Sequence, residues 1–223
     1  MRQSFDEQLR QLHDDVVHMG SFVVEMLDKA MDALVRQDVA LAEEVIRMDD
    51  TADAMDIAIE TSSMRLLALQ QPMSRDLRTI ATALKVITDL ERIGDYAADI
   101  AEIVKPLAGE PYFKPLEDIP LLARLATTMI RNAVQAFVDR DIERALQVCR
   151  DDDEVDAVYE RVFNDIVHGI ERNAQIARQG AYLILVARRL ERVADHATNV
   201  AERVYYMETG ELKHWARMHK EGS

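Results

Sequence analysis

A nine-residue block occurs twice in this chain, one hundred residues apart. Residues 90–98 read LERIGDYAA and residues 190–198 read LERVADHAT. Each copy runs on to a further oxygen side chain, Asp99 or Asn199, and then to Glu102 or Glu202. Glu, Asp and that third residue recur every four positions, which on a helix puts them on one face. Stacking like charges in this way costs a few tenths of a kcal/mol per pair, on the order of 0.2–0.5. Something positive is expected to compensate. The duplication also restricts the fold to one that can be built twice.

The repeat extends well beyond the block. Residues 25–53 align with 128–156 at an offset of 103, so that Ala30 meets Ala133, Asp38 meets Asp141 and Arg47 meets Arg150. Residues 78–102 align with 178–202 at an offset of 100. Ala, Leu, Met, Glu, Arg and Asp dominate, a helix-forming mixture, and only 5% of residues are aromatic. The expected fold class is all-α, two tandem three-helix bundles related by internal duplication. In the first half, helices are expected over residues 4–36, 39–70 (with Asp38 as N-cap) and 74–105, with Pro72 ending the second. Pro106, Gly109, Pro111, Pro115 and Pro120 read as a linker. In the second half, Pro120 opens a helix to residue 139, Asp141 caps one ending near Gly180, and the last runs to Glu208 with Gly210 as its stop. The expected divisions are 1–105, a linker at 106–120, 121–210, and a loosely held polar tail at 211–223.

With 48% hydrophobic and 30% charged residues the chain is expected to fold. Its net charge of −14 argues against nucleic acid, whose phosphates need a basic surface. It favours metal cations or a basic protein surface instead. The single Cys149 allows no internal disulfide and fits a reducing compartment. The charged N-terminus is not a signal peptide. The longest apolar run, residues 181–187, is far short of the ~18 a membrane span needs. A soluble cytoplasmic protein is expected.

A second acidic motif is also duplicated: Asp49, Asp50 and Asp53 match Asp152, Asp153 and Asp156. In the first half, Asp53 and Glu91 each lie 19 residues from Pro72, so an antiparallel hairpin brings them level. In the second, Asp156 and Glu191 lie 24 and 11 residues from Gly180, and come level only if the turn centres near residue 174. Level hairpins would gather four or five oxygen ligands in each half, a donor set for hard divalent ions, manganese or iron. A metal-free arrangement pairs the same carboxylates with Arg47, Arg78, Arg92, Arg150, Arg178 and Arg192. The residues leave both open, along with a purely structural adaptor whose carboxylates only confer solubility.

Other signals are weaker. His196 stands one step off the ligand stripe and reads as a surface or supporting residue. Cys149 reads as a core or interface residue. The eleven Met are core filler, with a share available to line a partner-binding face. Nucleotide-binding glycine loops are missing from the sequence. The only Glu-x-x-His, Glu211 to His214, lies in the tail, which argues against a ferritin-like di-iron oxidase.

Residues 189–202, RLERVADHATNVAE, resemble the signature of the PhoU family, accessory regulators of bacterial phosphate-specific transport. The first copy, the stretch PMSRDLR at 72–78 and both Asp-x-x-x-Asp motifs resemble that family too. The likeness spans nearly the whole chain. It implies two three-helix bundles and a regulatory, non-enzymatic role that keeps phosphate-starvation genes silent. It also implies a place between the transporter's ATPase subunit and a phosphate-sensing histidine kinase, reaching the membrane only through those partners. Carried over residue by residue, it implies one metal cluster per half. The first would be held by Asp49, Asp53, Glu91, Asp95 and Asp99, the second by Asp152, Asp156, Glu191, Asp195 and Asn199. The ion (iron, zinc, manganese or magnesium) stays open. Tyr96 stands where the family often has His, and Asp99 where it often has Asn, which makes the first site the more acidic. A homodimer is the default oligomer.

Overall fold

The computed structural model describes residues 2–70 and 72–213. Six long helices account for nearly all of them: α1 (Arg2–Arg36), α2 (Val39–Gln70), α3 (Ser74–Leu107), α4 (Asp118–Asp139), α5 (Ile142–Arg172) and α6 (Ala177–Thr209). No strand occurs among the described residues. The 34 residues of α3 make a rod ~50 Å long. The fold is the expected pair of three-helix bundles, α1–α3 and α4–α6.

The caps explain where these helices begin and end. The α1–α2 and α4–α5 turns are copies of one device. Gln37 and Arg140 take left-handed backbone (φ 55° and 56°). The amides of Asp38 and Asp141 then donate back to the carbonyls of Ala33 (2.9 Å) and Ala136 (3.0 Å). The two Asp carboxylates accept from the amides of Leu41 and Arg144 at 3.0 Å each, opening the next helix. Gly210 closes α6 in the left-handed region (φ 76°), as the sequence indicates.

Three boundaries differ most from the sequence expectation. Helix α3 runs on to Leu107 and takes in Pro106, which was expected in the linker. Helix α4 begins at Asp118, two residues ahead of Pro120, because Pro fits anywhere in a first turn. Helix α5 ends at Arg172 and a short 3₁₀ turn at Ala174–Ile176 leads into α6, so Gly180 lies inside α6. Gly180 serves packing: a Cβ there would come within 2.9 Å of the Ile166 and Ile170 side chains. The expected tail lies outside the described residues from 214 onward.

Each bundle packs its middle helix, α2 or α5, against its own two neighbours. The bundles meet through α3 on α6 and α1 on α4. These four helices form the centre, and α2 and α5 lie on the two flanks. One apolar core runs through all six, with Leu12, Met19, Ile87, Leu90, Leu122 and Phe137 fully buried. The proline-rich crossing from α3 to α4 is tied to both bundles. Gln37 donates to the carbonyls of Leu107 and Glu110 (2.9 and 2.8 Å), and Gln179 accepts from the amide of Phe113 at 2.7 Å.

Candidate metal centre

The duplicated acidic motifs meet where the middle and last helices of each bundle run antiparallel. Asp49 and Asp53 on α2 face Glu91 and Asp95 on α3. One carboxylate oxygen each from Asp53, Glu91 and Asp95 lies within 4.8 Å of the others. The α2–α3 turn at Pro72 puts Asp53 and Glu91 level, as the counting requires. Gly94 lets α2 approach: a Cβ there would stand 3.4 Å from the Ala52 Cβ and 3.8 Å from Asp49 Oδ1.

These carboxylates are close enough to oppose one another's ionisation. Burial, then the charges of Asp95, Asp53, Asp50 and Asp99, push the Asp49 carboxyl up to about 6 from its ordinary 3.8. Burial and the neighbouring Asp95 raise Glu91 as well, against the opposing pull of Arg92. Asp49 Oδ1 is buried and accepts no hydrogen bond. A buried, unpaired carboxylate oxygen beside three further acids is costly without a cation. The donor set therefore fits a hard cation.

The second bundle sets its acidic residues on the matching helices, but among the described residues only the first brings three carboxylate oxygens within 4.8 Å of one another. With the turn at 173–176, Asp156 and Glu191 come level after all. Asp156 and Asp195 both act on Glu191, which burial raises first of all. Asp152 and Glu191 are both buried, at 8% and 7% exposure, and Glu191 Oε2 is buried and accepts no hydrogen bond. Two arginines attend this set, however. Arg188 donates to Glu191 Oε1 at 2.7 Å, and Arg192 donates to Asp195 at 2.9 Å. In the first bundle Arg92 reaches Asp95 at 2.8 Å, but the position matching Arg188 is Thr88, whose hydroxyl donates to the Leu84 carbonyl.

Of the six arginines singled out in the sequence, Arg92 and Arg192 pair with these carboxylates. Arg78 and Arg178 donate instead to the carbonyls of Met207 and Pro106, and Arg150 to Gln147. Repeat matching does not single out Arg188, because its repeat partner Thr88 is not a cation. An arginine in one copy against a threonine in the other was the available signal.

The last residue of each stripe turns toward the opposite bundle. Asp99 takes a 2.9 Å ion pair from Arg189 on α6, whose guanidinium also lies 5.5 Å from the Tyr96 ring centre. Asn199 donates to Asp89 on α3 at 3.2 Å, and His196 Nδ1 lies 2.8 Å from the same oxygen. Asp99 still bears on Asp49 electrostatically. Cys149 is buried, and burial with the nearby Glu202 and Asp152 pushes its thiol up to about 12, so it is no nucleophile.

The whole arrangement, sequence and coordinates together, has clear relatives. The PhoU domain matches this chain twice, over residues 16–104 and 119–204. The chain belongs to the PhoU family. It is 38% identical, over 94% of its length and 96% of the relative's, to the phosphate-specific transport system accessory protein PhoU homolog of Clostridium acetobutylicum. It is 36% identical, over 94% of its length and 99% of the relative's, to that of Deinococcus radiodurans. Among solved structures, PhoU from Pseudomonas aeruginosa superposes with a TM-score of 0.87 at 31% identity, covering 93% of this chain and 100% of that one. The phosphate transport system regulatory protein PhoU from Streptococcus pneumoniae superposes at 0.88 with 31% identity, covering 94% and 99%. Both PhoU repeats thus contain one carboxylate-lined hairpin, and the two repeats differ in how many arginines guard it. Among the described residues no helix is long and apolar enough to cross a membrane.

Proposed function

We propose that this protein is a regulatory accessory of phosphate uptake that also holds phosphate-starvation signalling off when phosphate is plentiful. The observation that supports the reading is full-length membership of the PhoU family, both repeats included. Its named relatives are phosphate-specific transport system accessory proteins. On this reading it catalyses no reaction. It acts in the cytoplasm by contact with the transporter's ATPase subunit and a phosphate-sensing histidine kinase, and reaches the membrane through them.

Metal belongs to the same proposal. Asp49, Asp53, Glu91 and Asp95 would hold a cation in the first repeat, and Asp152, Asp156, Glu191 and Asp195 in the second. A bound cation neutralises carboxylates that otherwise repel one another across the hairpin. The chain's own part is to set α2 against α3, and α5 against α6, at one level. Asp99 and Asn199, held by the opposite repeat, would fix the position of that face.

The test is alkaline phosphatase activity in phosphate-replete cells of the source organism, with and without the gene. High activity in the deletion strain alone, reversed by the gene in trans, is the expected result. Activity unchanged by deletion would overturn the signalling role. Elemental analysis of protein purified without chelator tests the metal, and the same content in wild type and an Asp95→Ala/Asp195→Ala double variant would remove it from the proposal.

A further inference from the structure

The outer face of α2 carries a second pattern, separate from its acidic face. Arg47, Asp50, Ala54, Ile57, Thr61, Met64 and Ala68 follow one another at alternating steps of three and four residues, and every one is exposed. That is the seam spacing of a coiled coil, here with no partner helix among the described residues. It runs for about six turns, ~33 Å. Its largest members stand well out of the fold: Ile57 is 62% exposed and Met64 55%.

The repeat supplies an internal control. The matched positions on α5 are Arg150, Asp153, Ala157, Glu160, Asn164, Val167 and Glu171. Where α2 shows Ile57, Thr61 and Ala68 to solvent, α5 shows Glu160, Asn164 and Glu171. Both helices pack inward in the same way, so the fold does not require the apolar face of α2. A solvated helix gains nothing from exposing Ile and Met in line, and a helical partner does.

Charge decides which partner. On one flank of the seam stand Asp56 and Glu60, outside the carboxylate site, and the chain as a whole is at −14. A second copy fits poorly. Antiparallel pairing about the seam sets Glu60 beside the other Glu60, and parallel pairing stacks Arg47 on Arg47 and Asp50 on Asp50. An anionic bilayer is repelled by the same acidic flank. We infer that the outer face of α2 docks an amphipathic helix of a protein partner, one with an apolar seam and Lys or Arg along the flank that meets Asp56 and Glu60. The inference rests on the reading of this protein as an adaptor and deepens it by naming the contact.

The test uses the full chain and two synthetic three-heptad helical peptides with the same Leu seam, one with Lys and one with Glu on that flank. Fluorescence anisotropy at about 150 mM salt keeps long-range attraction screened. The Lys peptide is expected to bind at least about tenfold more tightly than the Glu peptide. The variant Ile57→Glu is expected to weaken it by about tenfold or more, although the change adds negative charge and would strengthen any non-specific attraction. Met64→Glu is the second variant should Ile57→Glu lose helical circular dichroism, and Glu160→Gln on α5 is expected to change nothing. Equal affinity of wild type and the seam variants, or of the two peptides, overturns the inference. So does sedimentation of wild type as a dimer that Ile57→Glu turns into a monomer, which would give this face to a second copy. Each readout is independent of phosphatase activity, so failure here is distinct from failure of the phosphate role.

Discussion

At the scale of single residues, the two repeats are separated by one substitution in the carboxylate hairpin. Thr88 leaves Glu91 to Arg92, whereas Arg188 gives Glu191 a 2.7 Å donor. The first site is therefore the more underpaired, and its Asp49 shows it, pushed up to about 6 by burial and acidic neighbours. The sign of the consequence follows from linkage. Between the unfolded value near 3.8 and about 6, the folded chain binds more protons at Asp49 than the unfolded chain does. Its contribution to stability is therefore present at low pH and lost as pH rises through that window. In chelator, Asp49→Asn is expected to flatten this loss and leave the protein more stable at pH 7, measured by urea unfolding at several pH values. Wild type that gains stability over the window relative to Asp49→Asn would contradict the assignment. A companion prediction concerns Arg188→Thr, which removes the extra cation. It is expected to raise Mn²⁺ affinity at the second site by about an order of magnitude, read by titration calorimetry in an Asp95→Ala background that silences the first site. The acidic residues were legible in the sequence because they recur in both copies. Arg188 was not, since its role lies in a difference between the copies, Arg188 against Thr88.

At the scale of elements, the helices were legible wherever a local cap wrote their ends into the chain. Asp38 and Asp141 cap as read, because a carboxylate facing the first free amides needs only its own neighbourhood. The turn between α5 and α6 was misplaced at Gly180 because a glycine looks the same whether it relieves a turn or a crossing. Here its cause is tertiary, the close pass of Ile166 and Ile170. The turn at Ala174–Ile176 is the alternative that the counting left open near residue 174, and it brings Asp156 and Glu191 level. Two substitutions separate these causes. Asp141→Ala is expected to cost about 1 kcal/mol by loss of the cap. Gly180→Leu is expected to cost more, about 1–3 kcal/mol, by forcing α5 off α6. Both are read from chemical denaturation midpoints. An unchanged midpoint for Gly180→Leu would mean that the pass of α5 over α6 does not depend on the missing side chain.

At the scale of the whole molecule, the duplication announced two bundles but not how they join. The polar and ring contacts between α3 and α6 come from residues in which the copies differ. Asp89 corresponds to Arg189, His196 to Tyr96, and Asn199 to Asp99. Asp89 therefore holds His196 and Asn199, while its counterpart Arg189 holds Asp99 and covers Tyr96. One pseudo-twofold pair has an anion at its centre and the other a cation, and the Tyr96 and His196 rings meet between them at 5.6 Å. Two copies of the first repeat would have set Asp89 against Asp99 at both places, and two copies of the second would have left Arg189 facing Asn199 with no anion, so divergence supplies the ion pair at this junction. The same contact links the junction to the first carboxylate site, because Asp99 serves both: paired to Arg189 across the junction, and adding its charge to Asp49. Removing the cation with Arg189→Met should then act in two directions. The metal-free protein is expected to melt lower, since Asp99 loses its partner and the junction its ion pair. Added Mn²⁺ is expected to raise the melting temperature more than in wild type, since the first site gains an unneutralised carboxylate that a cation satisfies. Melting with and without Mn²⁺, for wild type and variant, resolves the two effects. A lower melting temperature with an unchanged Mn²⁺ increment would confine Arg189 to the junction and uncouple it from the site.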